Sequence, residues 1–441
     1  MMSVRFPVSV WIVALALAVV TSLPYAIGWL GTPEGMAYSG GPALPTGLQW
    51  DYNSRMGMLG QGARHDWDFH LLFTPEPHDG IYLVQGFYVA AGALADVFGL
   101  GIPLAFHVLR FAVTIVMVLA LWAFAERFFS RTEDRWLCLS LATVASGWSW
   151  LLLLVAPGMT QSVSPIEFWL IDAYNLMGAF YAPHFAASVA TQIAVLLVLE
   201  TWIEHGGVRR LGWLTFLLAV ESIIQPYSIA LLGTLVGLLA LYHIYITRRL
   251  TWRRALGLAL PGGVYAGLVL YQYLSMQADP VWSRFVEQNQ TRSPTLVYYI
   301  LGYAPFLLPI AAGLRAAFPA RQDDRWLAPL LWVMIVAVLL YAPVMTQRRY
   351  LLGVQTPLAV LATQGWAQGV LPHVKQTRRP LATIAYVSLA SIASWLMIAA
   401  NASAIPSSRY RDALYYSADE RAGLLFDGFL ARWSPLIGVK A

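Results

Sequence analysis

The chain has 441 residues, 58% of them hydrophobic and only 12% charged, with a mean hydropathy of +0.59. That balance excludes ordinary soluble folding, because apolar runs of bilayer-spanning length, about 20 residues each, recur along the sequence. The formal net charge of +5 calls for no nucleic-acid partner, since Lys and Arg in cytoplasmic loops give membrane proteins such an excess. Cys138 is the single cysteine, which excludes an intrachain disulfide and a Cys-based zinc site.

In chain order the predicted elements are helices, so the expected fold class is all-α: a polytopic membrane protein with about 11 transmembrane helices. The spans read Val8–Leu30, Ala105–Phe129, Trp136–Ala156, His184–Trp202, Leu211–Ile224, Tyr227–Ile246, Ala255–Met276, Leu296–Leu314, Trp326–Met345, Leu351–Leu371 and Leu381–Ala400. The first run follows Arg5, is long for a signal-peptide core, and reads as a retained helix. The pair around Gln225-Pro226 reads as a helical hairpin.

Ile81–Leu100 is also long enough to cross, and its placement decides the side of every later loop. If it stays on one side, the clusters at Arg127/Arg131/Arg135, Arg209/Arg210, Arg248/Arg249/Arg253/Arg254, Arg315/Arg321/Arg325 and Lys375/Arg378/Arg379 all share the side of Arg5. That is the cytoplasmic side by the positive-inside rule. If it crosses, those clusters move outside unless Pro165–Phe180 compensates, and Glu167, Asp172 and Asn175 make that stretch a poor helix for lipid. Ile81–Leu100 is therefore expected in or at the interface, in a long first outer loop with juxtamembrane helices (31–104). A second outer loop (157–183) and a short outer tail (401–441) complete the scheme around a transmembrane domain over 1–400.

The first loop contains HDWDFHLLFTPEPHD, His65 to Asp79, where seven of fifteen side chains are titratable. Acidic groups thus gather on one surface. Asp66-Trp67-Asp68 has a DxD look and makes Asp66 and Asp68 weak candidates for a divalent metal, the alternative being a solvated turn. His65 and His70 read as surface residues. Glu76 and His78 flank prolines, so their backbone is stiff and non-helical. They are candidate acid–base residues, or simply parts of an exposed turn. His184 enters a span beside Pro183, either as an interfacial residue or as a group that hydrogen-bonds a phosphate. Arg348 and Arg349 break the charge pattern by falling on the outer side. Either they snorkel, or they form a fork-shaped donor pair for a phosphate. Glu221 and Gln225 lie inside the apolar hairpin, where polar groups are functional candidates or partners for broken backbone.

The stretch from Asp51 to Gly99 resembles the first outer loop of the GT-C superfamily of membrane glycosyltransferases, most closely the branch of protein O-mannosyltransferases and lipid A aminoarabinose transferases. The matching features are Asp51 after the first span, the box Thr74-Pro75-Glu76-Pro77-His78, the closing Phe98-Gly99, and Arg110 early in the next span. Asp172 and Tyr181-Ala182-Pro183-His184-Phe185 lie where the family carries a further polar site. Two departures stand out: Tyr52 follows Asp51 where the family has a second acid, and the tail holds no large soluble domain.

The resemblance implies transfer of a sugar from a polyprenyl-phosphate donor to a lipid, glycan or protein acceptor at the outer face of a cell inner membrane, with inversion and a cytoplasmic N-terminus. Such chemistry needs a carboxylate to take the acceptor proton and cations to hold the departing phosphate. The resemblance makes Asp51 the base, with helix N-capping as its alternative role; Glu76 and His78 are the further catalytic candidates. Arg110, Asp172, His184, Arg348 and Arg349 are the expected substrate contacts. No cofactor is implied for certain, and a divalent metal remains open. The competing readings are a transporter or flippase for a lipid-linked or sugar substrate, which should show inverted repeats, and a non-catalytic relative of the fold.

Overall fold

The computed structural model describes residues 6–45, 47–160, 165–317, 324–407 and 414–417. Arg5 and Arg321 of the topology argument lie outside the described residues, as does most of the 401–441 tail. The described chain is all-α and polytopic, as expected. Its helices are α1 (Val8–Val20), α2 (Leu23–Leu30), α3 (Leu48–Ala63), α4 (Gly86–Val97), α5 (Ile102–Phe128), α6 (Thr132–Thr143), α7 (Leu152–Val155), α8 (Asn175–Tyr181), α9 (Pro183–His205) and α10 (Val208–Ile224). After them come α11 (Ser228–Tyr245), α12 (Trp252–Ala255), α13 (Ala259–Ala278), α14 (Pro280–Gln288), α15 (Leu296–Gly302), α16 (Ala304–Ala317), α17 (Leu327–Leu339), α18 (Gln355–Gly365) and α19 (Arg379–Ala404). Four short strands, β1 (Met36–Tyr38), β2 (Asp68–Phe69), β3 (Ile81–Tyr82) and β4 (Tyr415–Ser417), form two antiparallel pairs, β1–β4 and β2–β3.

By length and composition, five helices among the described residues suffice to cross a membrane, and up to seven if the bent pairs α1–α2 (41°) and α15–α16 (80°) each count as one span. Several expected spans come out shorter or broken. Trp136–Ala156 is the plainest case: α6 stops at Thr143 and the chain runs irregularly to Ser149. Gln355 explains how this is tolerated, since its Nε2 donates to the freed carbonyls of Leu141 (2.7 Å) and Ala145 (2.9 Å). Broken backbone in a membrane protein needs such internal partners. Within Ile81–Leu100 only the 12 residues of α4 are helical, about 18 Å at 1.5 Å per residue, well short of a bilayer core. Pro165–Phe180 forms short 3-10 turns and the start of α8.

The chain forms two compact units. One comprises Met1–Leu15, Thr114–Val269 and Asn289–Trp395; the other comprises Ala16–Val113, Leu270–Gln288 and Leu396–Ala441. In the second unit α3 and α4 cross so closely that a methyl group on Gly62 would collide with the Val89 carbonyl, and one on Gly92 with the Leu59 carbonyl. Around that crossing Tyr52, Leu59, Phe69, Ile81, Tyr88, Phe106 and Trp282 form one buried cluster. Asn401 ties the end of α19 to the loop before α3: its Oδ1 accepts from the amides of Ala43 and Leu44, and its Nδ2 donates to the carbonyls of Leu44 and Met397. In the first unit α16 packs on α18, with Gly313 and Gly365 meeting backbone to backbone.

Candidate functional site

The sequence candidates divide between the two units. Asp51, Asp66, Asp68, Glu76, His78 and Arg110 belong to the second; Asp172, His184, Arg348 and Arg349 belong to the first.

In the second unit Asp51 lies in the first turn of α3. The N-cap of that helix is Gly47, so Asp51 is not the capping residue. Its carboxylate is 55% exposed and stands 3.6 Å from the buried Arg55 guanidinium one turn on. Glu76, half exposed, lies 3.5 Å from Arg284 Nη1 on α14. His78 is fully engaged by backbone: Nε2 accepts from the Leu71 amide at 2.8 Å and Nδ1 donates to the Glu76 carbonyl at 2.7 Å. That pattern defines the neutral ring with its proton on Nδ1. Next to it, Trp282 Nε1 donates to the Asp79 carbonyl (2.9 Å), and the Asp79 amide donates to Asp279 (3.2 Å). Burial works against the Asp279 anion, but the amides of Trp282, Asp79 and Val281 together outweigh it and hold the carboxyl below its ordinary range. The Pro-rich box is thus braced on α14, a partner two hundred residues away that no local signal in the box announces.

Asp66 pairs with Arg64 at 3.1 Å and Asp68 stands 3.4 Å from His70, all four partly exposed. Among the described residues no group of three or more His, Cys, Asp or Glu is placed to share a metal ion. The DxD stretch therefore offers no ready-made donor set. Arg110 is fully buried: Nη1 donates to Thr21 Oγ1 (3.1 Å), Nη2 to Ser22 Oγ (2.8 Å) and Nε to His107 Nδ1 (3.3 Å), with the guanidinium 4.8 Å from the Tyr25 ring centroid. His107 in turn reaches the Gly40 carbonyl at 2.9 Å.

In the first unit the structure does bring predicted residues together. Asp172 is buried in a 3-10 turn, and its Oδ2 lies 3.5 Å from Arg349 Nη1. Arg348 lies over the Trp169 ring at 5.0 Å, a cation–π contact. Burial lowers the Arg348 guanidinium below its usual range and Arg349 adds to that, while Asp172 opposes it. The Arg-Arg corner is built by backbone pairing: the Thr291 amide donates to the Met345 carbonyl (2.8 Å), and the Arg348 amide to the Thr291 carbonyl (2.9 Å). Gln347 locks it by accepting from the Ser293 amide and donating to the Ala342 carbonyl. Tyr303 and Tyr174 fix the acidic turn, donating to the carbonyls of Ala173 and Gly302 respectively. Arg348 Nε and Thr291 Oγ1 are buried side-chain atoms without a hydrogen-bond partner. His184 sits at the start of α9 with its ring 4.2 Å from that of Phe185.

The sequence reasoning missed Trp169 and Thr291, since an aromatic or a threonine in an apolar chain carries no distinguishing pattern. It also passed over the partners of Glu167, whose carboxylate is buried and takes hydrogen bonds from Ser149 Oγ and the Trp150 amide. Burial raises the Glu167 carboxyl above its ordinary range despite those donors.

No protein-family model and no curated protein sequence matches this chain. Among solved structures it is similar to the Archaeoglobus fulgidus oligosaccharyltransferase, crystallised with a disulfide-tethered acceptor peptide containing the NVT sequon, at a TM-score of 0.51 and 12% identity. The likeness covers 92% of this chain and 56% of that one, so the chain spans little more than half the length of its structural relative. At that identity the likeness is one of fold: the architecture is GT-C-like.

Proposed function

From the GT-C-like fold we propose that this chain is a glycosyltransferase that takes a sugar from a polyprenyl-phosphate donor at the outer face of a cell membrane and passes it, with inversion, to a lipid, glycan or protein acceptor. The observation that carries the reading is the corner in which Asp172 holds Arg349 while Arg348 lies on Trp169 with its Nε unpartnered. A departing lipid phosphate gains negative charge, and guanidinium groups already oriented and partly desolvated stabilise it without reorganising. Asp172 then serves to position Arg349. His184 remains a candidate for the same anion.

Asp51 is the proposed base, and its exposed carboxylate supports that role, because an acceptor must approach it. Glu76 is a second accessible acid. His78 and Arg110 take supporting roles in this reading, since their nitrogens are committed to the Pro-rich box and to the first span. The branch within the GT-C superfamily follows the sequence resemblance, and the peptide bound by the archaeal relative is consistent with a protein acceptor.

The test is Asp51→Asn in a reconstituted transfer assay offering polyprenyl-phosphate sugars, with thermal unfolding measured on the same preparation. Transfer is expected to vanish while the melting temperature holds; transfer near the wild-type rate would reject Asp51 as base.

A further inference from the structure

In the first unit a polar cluster lies among α9, α10 and α11, made of residues other than the proposed transfer groups. Ser188 and Gln192 come from α9, Glu221 from α10, Gln225 from the helix break, and Ser228 from the start of α11. Ser188, Gln192 and Glu221 are 0% exposed. Ser188 Oγ donates to Glu221 Oε1 at 2.6 Å. Gln192 Nε2 lies 3.3 Å from the same oxygen, 3.0 Å from Ser188 Oγ and 3.2 Å from Ser228 Oγ. Ser188 thus serves Glu221 Oε1, and Gln192 Nε2 shares its hydrogens among that oxygen and the two serine hydroxyls. Glu221 Oε2, Gln192 Oε1 and Gln225 Nε2 are left buried without hydrogen-bond partners.

Buried polar atoms are rarely left so, and several in one cluster call for a ligand. Two of them are oxygens with lone pairs and no donor. The remaining need is charge: Glu221 Oε2 has no hydrogen-bond partner and no ion pair to Glu221 is found among the described residues, so an ionised carboxylate here has to be met by a cation. A bare anion among apolar helices is costly.

We propose that this cluster binds one monovalent cation of sodium type, held by Glu221 Oε2, Gln192 Oε1 and the hydroxyl oxygen of Ser228, with the Gln225 amide donating to a water on the ion. The donor set is hard oxygen with a single negative charge, which a monovalent ion balances and a divalent ion overshoots; it has no nitrogen or sulfur ligand for zinc or copper. Gly353 keeps the space small, since a methyl group there would stand 2.6 Å from Gln192 Oε1. The ion ties together three helices through one point.

The experiment melts the full chain in detergent in NaCl, KCl and choline chloride at equal ionic strength. Sodium is expected to raise the melting temperature saturably, by roughly 2–4 °C over choline, and equilibrium dialysis with radioactive sodium should find one ion per chain. Glu221→Gln abolishes both effects; should that variant not fold, Ser188→Ala is expected to fold and to weaken sodium binding at least tenfold. Equal melting of the wild-type chain in all three salts, with no retained sodium, overturns the proposal and leaves a proton as the neutralising partner. Retained sodium that survives Glu221→Gln also overturns it.

Discussion

Arg349 and Asp172, both singled out in the sequence, form an ion pair: Nη1 stands 3.5 Å from Oδ2, with the carboxylate side chain only 6% exposed. Removing one partner of a buried pair leaves the other charge uncompensated, which costs more than the pair contributes. Asp172→Ala is therefore expected to disorder the Arg-Arg corner and lower sugar transfer about 100-fold, the scale of losing one preoriented charge-stabilising group. Arg349→Lys should fall nearly as far, because a point charge does not replace a fork. Transfer assays on both variants check this, and activity within twofold of wild type would separate the corner from the chemistry.

Gln355 bears on stability. Its Nε2 serves the carbonyls of Leu141 and Ala145, and its Oε1 accepts from the Asn175 amide at 2.6 Å. Gln355→Ala strands those buried groups at about 1–3 kcal/mol each. A marked drop in melting temperature is expected, together with increased protease cleavage at the break after α6.

The α3–α4 crossing admits no side chain at its two glycines. Gly62→Val or Gly92→Val must push backbone from backbone, with a cost of about 1–3 kcal/mol or more from overpacking. Both variants should accumulate poorly, whereas Gly99→Ala, which has open space around it but a positive φ of 63°, should show only the modest cost of a strained backbone. Thermal melts of the three variants test the ranking.

Glu167 predicts a pH effect of defined sign. Burial sets its folded pKa above the ordinary value of 4.5. In the window above 4.5 the folded chain therefore holds more of this proton than the unfolded one, and stability falls as pH rises through it. Glu167→Gln should flatten that part of the profile. Unfolding measured from pH 4 upward on both proteins decides it; identical slopes would remove Glu167 from the account.

His78 separates bracing from catalysis. Both ring nitrogens meet backbone groups, so His78→Ala should lower the melting temperature of the protein and leave the pH dependence of the residual transfer unchanged. A lost limb in the pH–rate profile would instead return His78 to the reacting groups.

Amino-acid order alone determined what depends on composition and on near neighbours. The run of apolar residues dictates membrane helices, because a bilayer accepts no unsatisfied backbone. The prolines around Glu76 and His78 dictate a non-helical box, and the acidic content of 165–180 argues against a lipid-facing helix there; α4 and the short turns after Pro165 agree. The order of features from Asp51 to Arg110 pointed to a GT-C-like architecture, and the fold bears that out at the level of architecture.

Tertiary structure decided the rest, because the relevant partners are distant in the chain and chemically ordinary. Whether an apolar run stays helical depends on a glutamine more than two hundred residues later, as at the break after α6. The Arg-Arg corner acquires its orientation from Thr291, Gln347 and Trp169, and none of these is marked by spacing or charge. Arg110 and His78 look like reactive groups in a sequence because their type is reactive, yet burial and backbone partners commit their nitrogens. Side-chain identity states what a group can do, and only its surroundings state which of those bonds are already made.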